Sequence, residues 1–423
     1  MTLKLPIYMD HHATTPVDER VLEAMLPYFS SKFGNPASRH HVFGTEAKAV
    51  VDRAREQVAL LLGARPGEVI FTSGATEADN LAILGTARAN ASKGRHIVTS
   101  PTEHSAVLDC CRALVKEGFE ITYLSVDRFG GIDLEELRSA IRPDTILVTL
   151  MAANNEIGTL HPLDAIGAIT RECGVLFHTD ATQAAGKIPI DVEAAQVDMV
   201  SLSGHKMYGP KGIGALWVRQ RRPRVRLVPI LHGGGHEHGL RSGTLNVPGI
   251  VGLAKACEVA RSEMPAEARR LTDLTSRLHQ GLARELDRVY LNGDPERRVP
   301  GNLNVSFEFV DGGELLNGLD DIAVASRSAC TTASDEPSHV LRAIGVPERL
   351  AQASIRFGLG RGNTLEEVDY VVGKVTALVR RLRELSPLSR QVSRDGGRSA
   401  GDHTAGHHSG GDPSGGGQRR ADS

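Results

Sequence analysis

The feature that most constrains the fold is the alternation of short β-branched runs with helical stretches between residues 69 and 218. The runs predict seven strands, at Val69–Thr72, Ile97–Thr99, Ile121–Leu124, Ile146–Leu150, Val175–His178, Met199–Leu202 and Ala215–Val218. Helical spacing of apolar residues separates the earlier runs, near 77–90, 105–117, 133–141 and 162–173. Because strands that alternate with helices pair in parallel, we predict an α/β fold with a mainly parallel seven-stranded sheet and helices on both faces.

The rhythm changes after Gly249, where the spacing becomes that of a smaller α+β unit. The predicted elements are a helix at about 250–288, strands near Val289–Leu291 and Asn302–Phe307, a helix near Glu314–Gly318, a loop near 326–336, a strand at Ile355–Leu359 and a helix from Leu365 to about Glu384. We therefore predict a large α/β domain at 16–249 and a small α+β domain formed by 1–15 and 250–385. Residues 386–423 are rich in Gly and Ser, which predicts a disordered tail.

The composition is that of an ordinary globular protein, and it argues against several function classes. The chain has 49 Lys and Arg against 51 Asp and Glu, so no strong field favours nucleic acid or an acidic membrane. No stretch approaches the roughly 20 apolar residues of a membrane helix, and Met1–Asp10 lacks the apolar run of a secretory signal. The five cysteines show neither a disulfide framework nor paired metal-ligand spacing, so we expect a reducing cytoplasm.

Two predicted strand ends carry residues that suit a charged cofactor. Ser73–Glu77 form a small-residue turn that opens a helix, where backbone N–H groups and a threonine hydroxyl favour a phosphate. This turn matches neither the Walker nor the dinucleotide pattern, and an N-cap by Ser73 is the simpler alternative. Asp180 comes just after the strand Val175–His178, at the edge where open α/β sheets bind ligands. A buried Asp needs a pyridinium nitrogen or an Arg or Lys as partner, unless it caps the next helix.

Lys206 follows the predicted strand Met199–Leu202, within the segment Ser203–Pro210. A lysine past a strand end, flanked by small and hydroxyl residues, suits a Schiff base with pyridoxal phosphate, although a loop lysine is more often a solvated charge. Gln183 lies three residues after Asp180, where it would reach the phenolic oxygen of that cofactor. A phosphate turn, a strand-end carboxylate and a strand-end lysine, in this order along the chain, indicate a pyridoxal-phosphate site more specifically than any one of them does alone.

Ten stretches of the sequence resemble those of the cysteine desulfurases among class V pyridoxal-phosphate enzymes. These stretches are Tyr8–Pro16, Phe33–Arg39, Phe71–Asn80, Thr102–Ser105, Asn154–Gly158, His178–Gln183, Ser203–Gly214, His232–Asn246, Ser328–Ser334 and Ser354–Arg361. The resemblance runs from about residue 7 to 384 and is to the group that serves iron–sulfur cluster assembly and nitrogenase maturation. It implies a PLP-transferase fold of type I, a homodimer, and conversion of L-cysteine to L-alanine.

The resemblance also implies a role for each matching residue. Lys206 would bind the cofactor covalently and move protons, and His104 would stack on the pyridine ring and serve as an acid or base. Asp180 and Gln183 would contact the ring nitrogen and the phenolic oxygen. The other implied contacts are Ala75, Thr76, Ser203 and His205 at the phosphate, Asn155 near the phenolic oxygen and the substrate carboxylate, and Thr244 at the phosphate of the neighbouring subunit. Arg356 would clamp the substrate carboxylate, which suits a bidentate guanidinium.

Cys330 is implied as the residue that accepts the sulfur. Its thiolate would attack the γ-sulfur of the bound substrate, which leaves a persulfide on Cys330 and releases L-alanine. The implied partners are L-cysteine and a sulfur-acceptor protein, such as an iron–sulfur scaffold or a tRNA-thiolation protein, with no direct nucleic-acid or membrane contact. No intrinsic metal is expected, but Cys330 is a candidate transient ligand of an iron–sulfur cluster shared with a scaffold. Arg327 departs from the family pattern, which usually has Gly there, and the polar tail replaces an apolar terminal segment.

Two alternatives remain open at this point. A selenocysteine lyase or another class V lyase would share Lys206 and Asp180, but it would have little need of Cys330 with cysteine as substrate. A catalytically idle homologue that only binds proteins would be expected to lose Lys206, Asp180 or Arg356. All three residues are present.

Overall fold

The computed structural model describes residues 3–221, 224–326 and 338–387. The strands are β1 Ile7–Tyr8, β2 Val69–Thr72, β3 His96–Thr99, β4 Glu120–Tyr123, β5 Thr145–Thr149, β6 Leu176–Asp180, β7 Met199–Ser203, β8 Gly214–Val218, β9 Val289–Leu291, β10 Asn302–Phe307, β11 Ile322–Ala323 and β12 Ser354–Gly358. The helices are α1 Glu19–Met25, α2 Pro27–Ser30, α3 Val42–Leu61, α4 Ala75–Asn90, α5 Ser105–Lys116, α6 Leu134–Ala140, α7 Leu163–Glu172, α8 Val247–Glu285, α9 Gly312–Asn317, α10 His339–Ala343, α11 Glu348–Gln352 and α12 Leu365–Leu385. Cys330, Arg327 and the predicted tail from residue 388 onward lie outside the described residues.

The central sheet has seven strands in the order β2-β8-β7-β6-β5-β3-β4, which confirms the predicted α/β fold. The strands β3 to β7 pair in parallel, whereas β8 runs antiparallel to both β7 and β2. Only ten residues, 204–213, join β7 to β8. A parallel crossover needs a dozen or more residues, so this short connection forces β8 to run back along β7. The carboxyl ends of β2, β6 and β7 therefore meet at one edge of the sheet.

Both faces of the sheet are covered by helices, which explains the near-continuous apolar strands. Neighbouring residues point to opposite faces, so Ile97 and Leu147 pack with Leu81 of α4 and Val107 of α5. The other face, which includes Val98, Val148 and Phe177, packs with residues of α3, α7 and α8. Burial on both faces is typical of parallel sheets. Because helices cover both faces, a ligand can reach the sheet at the ends of its strands.

A second sheet, of order β12-β10-β9, is antiparallel and packs against the second half of α8 and against α12. The N-terminal strand β1 pairs with β11, where Ile7 lies opposite Ile322. The helix α8 contributes apolar residues to both large clusters, with Pro265 between its two halves. The division into domains at residue 249 stays a prediction. In the described parts of the chain, no helix is apolar enough over a sufficient length to cross a bilayer.

Candidate active site

A cavity of about 490 Å³ opens at the carboxyl ends of β2, β6 and β7. Ten of the predicted site residues line it, namely Ala75, Thr76, His104, Asn155, Asp180, Gln183, Ser203, His205, Lys206 and Arg356. Thr244 is exposed and does not line this cavity. Cys330 lies outside the described residues, so its place relative to the cavity stays a prediction.

One end of the cavity is formed by the N-terminus of α4. The helix begins at Ala75, and Gly74 before it has no side chain that could cap the first N–H groups. The hydroxyl of Ser203 lies beside this turn, because a Cβ built on Gly74 would be 3.9 Å from Ser203 Oγ. Uncapped N–H groups at the positive end of a helix dipole, with a hydroxyl beside them, suit a phosphate. The simpler alternative, an N-cap by Ser73, is not what the structure shows.

Lys206 lies in the short 3₁₀ turn Gly204–Lys206 that follows β7. Its Nζ donates hydrogen bonds to the main-chain oxygens of His12 and Ala13, both at 2.7 Å. These acceptors lie more than 190 positions away in the sequence, so the N-terminal segment crosses the strand ends to hold the lysine. Two carbonyl oxygens thus position the amine without neutralising its charge.

The acidic side of the cavity is a group of three carboxyls, Asp79, Glu103 and Asp180, of which only Asp180 borders the cavity. Burial, together with the nearby Asp180 carboxylate, raises the pKa of Asp79 and of Glu103 well above their usual values. Burial also lowers the pKa of His178 to about 3, so its neutral ring, 3.6 Å from Asp79, supplies no positive charge that would favour the ionised form of that carboxyl. Asp180 is therefore the carboxyl of this group that can meet a cation in the cavity.

On its basic side the cavity is lined by the cations Arg356, Lys206 and Lys211, while Lys187 lies outside its lining. Arg356 is 1% exposed, and it donates to Asp10 Oδ1 at 2.8 Å and to the main-chain oxygen of Asn155 at 2.9 Å. Lys187 Nζ donates to Gln183 Oε1 at 2.8 Å. Three cations near one cavity favour a ligand that carries negative charge.

The imidazoles of His12 and His205 are neutral at physiological pH. Burial, with Lys187, Arg356 and Lys206 nearby, lowers the pKa of His12 well below its usual value, and burial with Lys206 lowers that of His205 to about 4. His104 is the N-cap of α5, and its Nδ1 accepts a hydrogen bond from the backbone N–H of Ala106 at 3.2 Å. A ring whose Nδ1 accepts a hydrogen bond carries its proton on Nε2, so His104 has a defined donor on the side away from the helix.

The buried polar atoms that lack a hydrogen-bond partner test whether a cofactor fits this cavity. Both ring nitrogens of His12, the hydroxyl of Thr182 and Nε of Arg356 are buried with no hydrogen-bond partner in the part of the chain that the structure describes, and all three residues line the cavity. Each such group costs about 1–3 kcal/mol unless a ligand bonds to it. Pyridoxal phosphate has an anionic phosphate, a cationic ring nitrogen and an aldehyde, which match the N-terminus of α4, Asp180 and Lys206. The residues present fit this cofactor.

Sequence reasoning missed two residues that line the cavity, His12 and Thr182, and also Lys187, which bonds to the lining residue Gln183. His12 belongs to the matched stretch Tyr8–Pro16, so paired histidines just after a strand were a usable signal. Thr182 belongs to the matched stretch His178–Gln183, so the resemblance was a usable signal for this residue as well. Lys187 gave no signal, because a lysine in a polar turn is usually a solvated charge.

Comparisons with known proteins agree with this geometry. The family described as aminotransferase class-V matches residues 7–371 of the chain. A cysteine desulfurase IscS of Anaeromyxobacter dehalogenans is 60% identical over 394 residues, which cover 93% of this chain and 97% of that protein. A solved NifS-like protein has a TM-score of 0.82 at 41% identity, covering 89% of this chain and 100% of its own. The structure of SspA in complex with cysteine has a TM-score of 0.74 at 40% identity, covering 84% and 98%.

These matches span nearly the whole described chain, including every strand whose end lines the cavity. The identity is high enough, and the coverage of both proteins complete enough, to settle the family and its cofactor. With the charges of its cavity arranged for pyridoxal phosphate, the chain belongs to the cysteine desulfurases of the class V aminotransferase family.

Proposed function

We propose that the protein is a cysteine desulfurase that converts L-cysteine to L-alanine and transfers the sulfur to Cys330 as a persulfide. The observation that carries this proposal is the meeting of Lys206, Asp180 and Arg356 at one cavity, from three separate parts of the chain. A relative with 60% identity carries the name cysteine desulfurase, and a structural neighbour is a complex with cysteine. The proposed cofactor roles of the other lining residues are those that the family resemblance implies.

The cavity provides a binding group for each part of the amino acid. When bound, pyridoxal phosphate supplies an electron sink that stabilises negative charge on the substrate Cα. Arg356 Nε, which lacks a partner among the described residues, would bind the substrate carboxylate, with Asn155 beside it. Lys206 Nζ would hold the cofactor and then accept and return the Cα proton. His104 Nε2 would be a second proton donor at the same site.

The sulfur step needs no external oxidant. The Cys330 thiolate forms an S–S bond with the substrate sulfur while the Cβ–S bond of the substrate breaks, and that bond's electron pair stays on carbon. Carbon is thereby reduced, and the two sulfurs share the oxidation. After protonation, one cysteine and one thiol have become one alanine and one persulfide.

Alanine release tests this proposal. Cys330→Ser should lower alanine formation from L-cysteine by roughly 100-fold or more, since the thiolate that accepts the sulfur is lost. Cys173→Ser is the matched control, because Cys173 is an exposed free cysteine on another part of the chain, and it should stay within about twofold. Mass spectrometry of wild-type protein treated with cysteine should find one extra sulfur atom on Cys330.

The outcomes separate the alternatives. Unchanged alanine formation by Cys330→Ser would refute the persulfide step. If selenocysteine were also turned over much faster than cysteine, the protein would be a selenocysteine lyase. A purified wild type without the absorbance band of bound pyridoxal phosphate would indicate an idle homologue.

We propose that the protein acts as a homodimer. An apolar patch between the end of α1 and the start of α3 supports this, with Leu26, Phe29, Phe33 and Phe43 exposed by 56%, 63%, 66% and 48%. Thr244 is exposed outside its own cavity, as expected if it reaches the phosphate of a neighbouring subunit. Sedimentation of Phe29→Glu together with Phe33→Glu should give a monomer, whereas a dimer would contradict the use of this patch.

The acceptor of the sulfur is proposed to be an iron–sulfur scaffold or a tRNA-thiolation protein, in the cytoplasm. The free thiols of Cys110, Cys111 and Cys257 are buried, which suits a reducing compartment. Capture of partners on the Cys330 persulfide, with Cys330→Ser as the control, would identify the acceptor. Failure to transfer sulfur to either class of protein would contradict this part of the proposal.

A further inference from the structure

Lys187 lies outside the cavity lining but bonds to the lining residue Gln183, and the proposed function gives it no role. It is half-buried in the segment after β6, and its Nζ donates to Gln183 Oε1 at 2.8 Å. The positive charges of Lys206 and Arg356 repel its ammonium group, whereas Glu267 stabilises it. A partly buried cation among other cations is costly, so its presence calls for a compensating function.

The two neighbours of the Gln183 side chain determine how its amide is oriented. An ammonium group has only donors, so the amide atom that faces Lys187 must be the oxygen. The main-chain oxygen of His12 is only an acceptor, so the atom that faces it, at 2.9 Å, must be the amide nitrogen. Both neighbours therefore require the same orientation. The amide nitrogen carries a second N–H, and Gln183 lines the cavity.

We propose that Lys187 is a positioning residue of the cofactor site, which fixes the Gln183 amide with its N–H groups toward the phenolic oxygen of pyridoxal phosphate. With the opposite orientation, the amide oxygen would face that phenolic oxygen, and two acceptors would repel each other. The same amide nitrogen shares the His12 carbonyl with Lys206 Nζ, at 2.9 and 2.7 Å. A displaced amide would therefore also disturb an acceptor of Lys206.

The electrostatics of the cavity support this role. Burial, with Lys206 and Arg356 nearby and Glu267 opposing, lowers the pKa of Lys187 to about 7. His11 and His12 also face this lysine, and burial lowers the pKa of both, so neither adds charge at neutral pH. The negative charges of a bound phosphate and phenolic oxygen favour the protonated form of Lys187, which is the form with donors only.

The test uses the purified holoenzyme and two readouts that need no turnover, cofactor release and the pH titration of its absorbance band. Lys187→Met removes the charge and the donor, and it should raise the dissociation constant of pyridoxal phosphate roughly 3- to 10-fold. The midpoint of the absorbance titration should rise, because the phenolic oxygen loses a donor and a nearby positive charge. Lys187→Arg should restore both values to near those of the wild type. Lys116→Met on the exposed surface of α5 is the control and should change neither.

A double-mutant cycle identifies the route of the effect. If Lys187 acts through the amide, Lys187→Met should have little further effect on cofactor release in a Gln183→Ala background. An equal effect in both backgrounds, or loss of cofactor from Lys187→Met and Lys187→Arg alike, would overturn the inference. The inference rests on the proposed cofactor site, but the two fail differently. A wild type that binds no cofactor refutes the proposed function, whereas a Lys187→Met variant identical to a loaded wild type refutes only the role of Lys187.

Discussion

Burial shifts the pKa values on the acidic and basic sides of the cavity in opposite directions, and the two sides are hydrogen-bonded to different degrees. Burial raises the pKa of Asp79 and Glu103 but lowers that of Lys187, so on both sides it favours the neutral form. On the basic side, Lys206 and Arg356 already bond to carbonyl or carboxylate oxygens. On the acidic side, both oxygens of Asp79 lack a hydrogen-bond partner among the described residues. The basic side is thus prepared by hydrogen bonds before a ligand binds, whereas Asp79 on the acidic side is not, and Asp180 is the carboxyl placed to meet the cation that the ligand brings.

The largest effect is expected on the basic side, from Lys206→Ala. Removal of the amine that binds the cofactor should lower alanine formation by about a thousandfold or more and abolish the absorbance band of the bound cofactor. Lys211→Ala is the matched control, because this lysine also lines the cavity but is exposed. It should retain the band, and equal losses in the two variants would show that general positive charge matters more than position.

On the acidic side, Asp180→Asn should lower kcat/KM by about 100-fold, because an amide does not provide the negative charge that stabilises a protonated ring nitrogen. The absorbance spectrum should shift, which shows that the cofactor is still bound but in a different protonation state. Activity close to that of the wild type would mean that the negative charge of Asp180 is not needed to stabilise a protonated ring nitrogen.

Arg356→Lys should have a smaller effect, confined mainly to substrate binding. A lysine keeps the charge but loses the planar donor group, so KM for L-cysteine should rise about tenfold while the cofactor band is unchanged. Because Arg356 also bonds to Asp10, the melting temperature serves as a check of folding. A fall in kcat at unchanged KM would contradict the role in carboxylate binding.

The smallest effect is expected from Asp79→Asn, and it concerns stability. The pKa of Asp79 is raised in the folded protein, so above the ordinary pKa of Asp the unfolded chain ionises while the folded one stays protonated. This cost is absent at low pH and grows as the pH rises toward the folded pKa. The variant should melt about 2 °C or more above the wild type at pH 8, with a smaller gain at pH 5.

The exposed Asp273→Asn on α8 is the control for that measurement and should show no such gain. If Asp79→Asn were less stable than the wild type at pH 8, Asp79 would be ionised and hydrogen-bonded in the folded protein. The acidic side would then be as well prepared as the basic side.

Much of the fold was predictable because the strands are apolar and bounded by turns. The predicted strands agree with the observed ones to within about two residues, and β9 and β10 agree completely. The antiparallel direction of β8 was also within reach, since only ten residues separate it from β7. The site residues at strand ends were predictable for the same reason, because parallel strands bring their carboxyl ends to one edge.

What escaped prediction depends on contacts between distant segments. The carboxyls of Asp79 and Glu103 read as ordinary polar residues of a helix and a loop, and only tertiary packing buries them beside Asp180. Likewise, no local pattern shows that the carbonyl of His12 lies at Lys206, 194 positions further along the chain.

The carbonyl acceptors of Lys206 have a consequence for how the protein tolerates mutation. Every amino acid has a main-chain oxygen, so substitutions at positions 12 and 13 leave these two hydrogen bonds chemically possible. The placement of the lysine is therefore encoded in the path of the N-terminal segment, which is anchored by hydrogen bonds from His11 N to Gly358 O and from Thr15 N to His205 O. Sequence drift in this segment is harmless to the lysine, whereas a one-residue insertion or deletion between positions 11 and 15 would shift both acceptors at once.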